Sequence, residues 1–106
     1  MEFCLIYVTA SDDAEAERVG RAIVEERLAA CANILSGMRS LYWWEGALET
    51  GAETILILKT RRDLAEQVVE HVKALHSYDC PCAIVLPIAS GNPAYLDWIG
   101  AETDRR

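Results

Sequence analysis

At 106 residues, 52% apolar and 25% charged, the chain has room for one globular domain, taken as residues 1–106, burying about two thirds of its unfolded surface. A formal charge of −7 with scattered Lys and Arg, doubled only at Arg61–Arg62 and Arg105–Arg106, argues against nucleic acid and anionic membrane as partners, since both need clustered cations. No apolar run approaches the ~18 residues of a bilayer span, and the opening Met1-Glu2-Phe3-Cys4-Leu5 has no basic leader or small-residue cleavage site, so a cytoplasmic protein is expected.

Phe3 to Val8 is continuously apolar, with β-branched and aromatic members, and predicts a strand covered on both faces. Cys4 inside it reads as a small core hydrophobe. Ser11-Asp12-Asp13-Ala14-Glu15 then starts a helix: Asp12 caps, Glu15 completes a capping box, and the acidic first turn suits the helix dipole. Ala16, Val19, Gly20 and Ile23 repeat at helical spacing and carry the helix to about Leu28. An extended region from Cys31 to Trp44 is interrupted at Ser36-Gly37, which signals a bulge. Glu45-Gly46 turns the chain, and Glu53 to Lys59 returns as a strand, making a hairpin with long arms.

The second helix spans Arg62 to Leu75, with Leu64, Val68, Val72 and Leu75 on one face. Pro81 blocks its continuation, and Cys82 to Ile88 forms the last strand. Asn92 then caps a terminal helix whose first position is Pro93, where the missing N–H costs nothing. That helix carries Tyr95, Leu96, Trp98 and Ile99.

The order β-α-β-β-α-β plus a C-terminal helix defines an α+β, ferredoxin-like sandwich, a four-stranded antiparallel sheet with both main helices on one face. The long hairpin between the second and third strands exceeds the ~5–6 residues of an ordinary strand. It carries Tyr42, Trp43 and Trp44 at its far end, beyond the reach of a four-stranded core. A partner chain covers such an edge better than the alternative, the terminal helix with Trp98.

Arg27-Leu28-Ala29-Ala30-Cys31-Ala32-Asn33, Leu41-Tyr42-Trp43-Trp44-Glu45-Gly46 and Leu58-Lys59-Thr60 resemble the "LAACVN" segment, the hairpin tip and the "IKT" segment of the CutA family of divalent-cation tolerance proteins. Leu75-His76-Ser77-Tyr78-Asp79-Cys80-Pro81 is similar to "LHPYEVP", and Leu86-Pro87-Ile88 with Gly91-Asn92-Pro93-Ala94-Tyr95-Leu96-Asp97-Trp98-Ile99 is similar to "LPI…GNxxYLxWI". The resemblance implies a tight homotrimer, a role in tolerance of divalent metal ions such as copper, and an architecture shared with PII signalling proteins, whose ligand clefts lie between subunits. Two positions depart from the pattern: Ala47 stands where the family usually has Lys, and Cys82 where it usually has Glu. Both belong to the inter-subunit cleft in the usual pattern.

For chemistry, Cys80-Pro81-Cys82 is the sharpest constellation. Residues two apart in extended backbone point to one side, and thiolates suit zinc or copper(I). His76 adds an imidazole four residues upstream, and Cys31 matches the family cysteine that opens the second strand. The candidate metal set is therefore His76, Cys31, Cys80 and Cys82, weighed against core packing for each cysteine and a helix-terminal structural role for His76. His71 falls on the apolar stripe and reads as a satisfied, partly buried histidine. There is no phosphate loop and no G-x-S-x-G elbow, and no cofactor is required; copper or another divalent metal ion is the candidate ligand. The expectation is a non-enzymatic, metal-binding homotrimer. Its rivals are a PII-like signalling or scaffold trimer binding a small ligand or a partner protein at its inter-subunit clefts, and a thiol enzyme using Cys80 and Cys82.

Overall fold

A computed structural model describes residues 1–104. The elements are β1 (Phe3–Ala10), α1 (Asp13–Glu25), β2 (Cys31–Trp44), β3 (Ala47–Arg61), a 3-10 turn (Arg62–Leu64), α2 (Ala65–Leu75), β4 (Ala83–Pro87) and α3 (Pro93–Glu102). The sheet order is β2-β3-β1-β4, each neighbouring pair antiparallel. This is the expected ferredoxin-like arrangement, in which each helix crosses over one intervening strand.

Alternation sets the core. Cys4, Ile6, Val8 and Ala10 of β1 and Leu56 and Leu58 of β3 point to one face, where Ala16, Val19 and Ile23 of α1 and Val68 and Val72 of α2 close over them. Burial raises the pKa of the Cys4 thiol, as its reading as a core hydrophobe requires. The other face differs from the two-sided cover predicted for the first strand: Phe3, Leu5, Tyr7 and Thr9 are only half-buried. α3 shields part of it, with Ile99 buried and Lys59 Nζ donating to Tyr95 Oη at 3.2 Å. Ile84 and Leu86 of β4 stay exposed.

Helix ends follow local rules. Asp12 accepts from the Glu15 amide at 2.8 Å, and Asn92 accepts from the Ala94 amide at 3.1 Å ahead of Pro93. α1 stops at Glu25, short of the predicted Leu28. The Arg27 amide donates to Val24 and the Leu28 amide to Ile23, a Schellman closure with Arg27 at φ 62°. Leu28 then tucks into the core beside Ile23 rather than extending the helix.

The hairpin is longer than predicted on its return side. Its ladder runs from Cys31–Lys59 to Trp44–Ala47, so β3 begins at Ala47 instead of Glu53. Between Leu35–Ile55 and Met38–Glu53, two residues oppose one, the predicted bulge, with Gly37 at φ 81°. Glu45 and Gly46, at φ 48° and 81°, make the two-residue tip.

Candidate functional site

The site grows from a buried carboxylate. Glu15, in the first turn of α1, is 5% exposed. One oxygen accepts the Ser11 amide at 2.9 Å and the Ser11 hydroxyl at 3.0 Å, and the other accepts the Ser77 amide at 2.9 Å. Burial opposes ionisation, but the bonds from Ser11 and Ser77 outweigh it and hold the carboxyl at about 2. Arg18 adds a 3.4 Å contact to Glu15 and a 2.9 Å bond to the Leu75 carbonyl, which has no partner inside its helix. A charged group on α1 thus anchors the loop that leaves α2.

His76 continues the anchor. Its side chain is fully buried. Nε2 stands 2.7 Å from the Thr9 carbonyl, so it donates, while Nδ1 accepts the Tyr78 amide at 3.1 Å. Those two bonds fix one neutral tautomer and engage both nitrogens. Tyr78 packs against the imidazole and donates its phenol to Glu53 Oε2 at 3.0 Å. Burial, then the Glu53 carboxylate, pushes that phenol up to about 12, so it stays a donor.

Above this floor lies a cleft of about 480 Å³, within the size of small-ligand sites. β2 and β3 contribute Tyr42, Trp44 and Glu53, β1 contributes Thr9, and the loop contributes Ser77, Tyr78, Asp79, Cys80 and Cys82. The structure therefore brings Cys80 and Cys82 to one cavity. His76 lies beneath it.

Cys31 is elsewhere. It pairs with Lys59, four rows from Ile55, the partner of Thr9, and lies three strands from β4. Strand spacings put it about 20 Å from Cys82, and its thiol donates to Asn33 Oδ1 at 3.5 Å. Among the described residues, no group of three or more His, Cys, Asp and Glu side chains is placed to hold a metal ion. His71 is half-buried and satisfied by the Gln67 carbonyl at 2.9 Å. Sequence reasoning missed Glu15, Glu53 and Tyr78. The acidic first turn marked Glu15 only as a cap, and nothing local linked Glu53 to a tyrosine 25 residues away.

Residues 4–102 match the family model described as CutA1 divalent ion tolerance protein. The chain is 48% identical over 99 residues to protein CutA 1, chloroplastic, of Oryza sativa, covering 93% of this chain and 56% of that relative. It is 45% identical over 94 residues to the divalent-cation tolerance protein CutA of Archaeoglobus fulgidus, covering 89% and 91%. The chain spans little more than half the length of the plant relatives it matches. Among solved structures, CutA1 from Oryza sativa superposes with a TM-score of 0.95 at 44% identity, covering 100% of this chain and 97% of that one. The periplasmic divalent cation tolerance protein CutA from Archaeoglobus fulgidus gives 0.93 at 41% identity, covering 96% and 99%.

Proposed function

This chain belongs to the CutA1 divalent ion tolerance protein family, and from that premise we propose that it works as a homotrimer in the cytosol, contributing to copper tolerance by binding metal ions without catalysis. The observation that carries the trimer is the far end of the hairpin. Leu41, Trp43 and Leu48 are exposed on one face of the ribbon and Tyr42 and Trp44 on the other. Apolar surface on both faces of a two-stranded ribbon needs cover from both sides. Trp98, the rival cover, lines a recess with Ala29 and Ala30 at the opposite end of β2.

Binding rather than catalysis is supported by the family, which is described by ion tolerance and not by a reaction. Four free thiols suit a reducing compartment such as the cytosol.

Sedimentation of the purified protein tests the assembly: a species of about 35 kDa, three chains of 11.8 kDa, is expected, and a stable monomer at dilute concentration would overturn it. Growth in graded copper, with and without the gene, tests the role, and unchanged tolerance would count against it. A PII-like trimer with a small organic ligand draws on the size and aromatic wall of the same cleft. Thermal stabilisation by metabolites but not by metals would favour that second reading.

A further inference from the structure

The family name speaks of divalent cations, and the donor set within this chain does not suit one. A closed zinc site takes four ligands, and calcium or magnesium takes six or more oxygens. Among the described residues, no three His, Cys, Asp or Glu side chains converge. His76 has committed both ring nitrogens, and Cys31 belongs to the far end of the sheet.

What the cleft does contain is two sulfurs. Cys80 is exposed, Cys82 is half-buried, both are reduced, and both line the cavity. The other two thiols each face an acceptor, Cys4 the Arg61 carbonyl and Cys31 the Asn33 amide oxygen. Cys80 and Cys82 are held by no hydrogen bond among the described residues. Pro81 fixes φ between them and limits the freedom lost on closing a ring. Glu53 and Asp79 at the same cavity draw a cation in, and Tyr42 and Trp44 line its outer wall.

We propose that Cys80 and Cys82 form a two-thiolate site for a soft monovalent cation, copper in its cuprous state, complete within one chain. Thiolates select such ions over hard ones, and a d10 monovalent ion accepts two donors where zinc asks for four. On binding, two S–H bonds break, two copper–sulfur bonds form, and both protons leave to solvent. Copper enters and stays as Cu(I), so no electron moves. The inference deepens the copper reading above and rests on it for its biological setting, but not on the trimer.

Anaerobic titration of the reduced full-length protein with Cu(I), against a chromophoric Cu(I) chelator and beside Zn(II) and Mn(II), tests it. One Cu(I) per chain is expected. Cys80→Ser and Cys82→Ser should each weaken binding by about 100-fold or more, since losing an outer-shell partner alone costs about 10–100-fold. Cys31→Ser should leave Cu(I) affinity unchanged. Both cleft cysteines are at least partly exposed, so the serine variants should keep their circular dichroism. Full Cu(I) retention by the double serine variant, or zinc held as tightly as Cu(I), would overturn the site. Uptake that persists in protein sedimenting as a monomer would support the site while sinking the trimer.

Discussion

A carboxyl group this deeply buried normally becomes neutral, yet Glu15 is held charged by Ser11 and Ser77. Its pKa is about 2 in the folded chain against 4.5 for an unperturbed glutamate. The linkage follows the depressed case: the stabilisation is full above pH 4.5 and is lost as pH falls through 2. A shift of that size corresponds to roughly 3 kcal/mol, an upper figure. Denaturant unfolding of wild type and Glu15→Gln should therefore differ by up to ~3 kcal/mol at pH 6, with the gap closing towards pH 2. A gap that does not change with pH would remove the charge from the explanation. Asp13 acts in the same sense, its carboxyl lowered by bonds from Thr54 and Ser36. These two acids join the start of α1 to the loop and to the hairpin bulge.

At the scale of elements, α1 lies so close to the sheet that even a methyl group is crowded at one position. A Cβ on Gly20 would stand 3.0 Å from Leu56 Cδ1 and 3.1 Å from Ala32 Cβ. The leucine tip can move, but the alanine carbon is fixed to the backbone. Gly20→Ala gains about 1 kcal/mol of helix propensity and incurs overpacking of about 1–3 kcal/mol. A net loss of about 1 kcal/mol is expected in denaturant unfolding, and a more stable variant would show that the two elements can separate freely. Helix starts were legible because Asp12 and Asn92 act through atoms two or three residues away. The end of α1 was not, because Leu28 sits at helical spacing while a left-handed Arg27 turns the chain. The start of β3 was hidden as well: Ala47 to Ala52 contains little that marks a strand, and its pairing is dictated by β2. Of the cleft, the cysteine pair could be read from its spacing. The separation of Cys31, and the use of both His76 nitrogens by backbone, depend on strand order and loop path, which no local pattern encodes.

For the molecule as a whole, the decisive asymmetry lies between a compact half and an uncovered one. The chain is 45 Å along its longest axis against 25 and 22 Å across, and a strand of 14 residues such as β2 accounts for that length at about 3.3 Å per residue. The core ends near Thr54, and from there to the tip the ribbon carries large apolar groups in water. Trp43 pairs across the ladder with Leu48, and the two are 74% and 58% exposed. Little of either side chain is buried within the chain, so replacing both with aspartate should cost the isolated fold little. In a trimer whose subunits cover this ribbon, the same change places six charges, two from each chain, in dry contacts, which is costly without partners. The double variant Trp43→Asp, Leu48→Asp should therefore sediment as a monomer while keeping its circular dichroism. Its melting temperature should also lose the dependence on protein concentration that an associating protein shows. If the double variant remains trimeric, the assembly uses another surface, and the open face bearing Ile84 and Leu86 becomes the next to test.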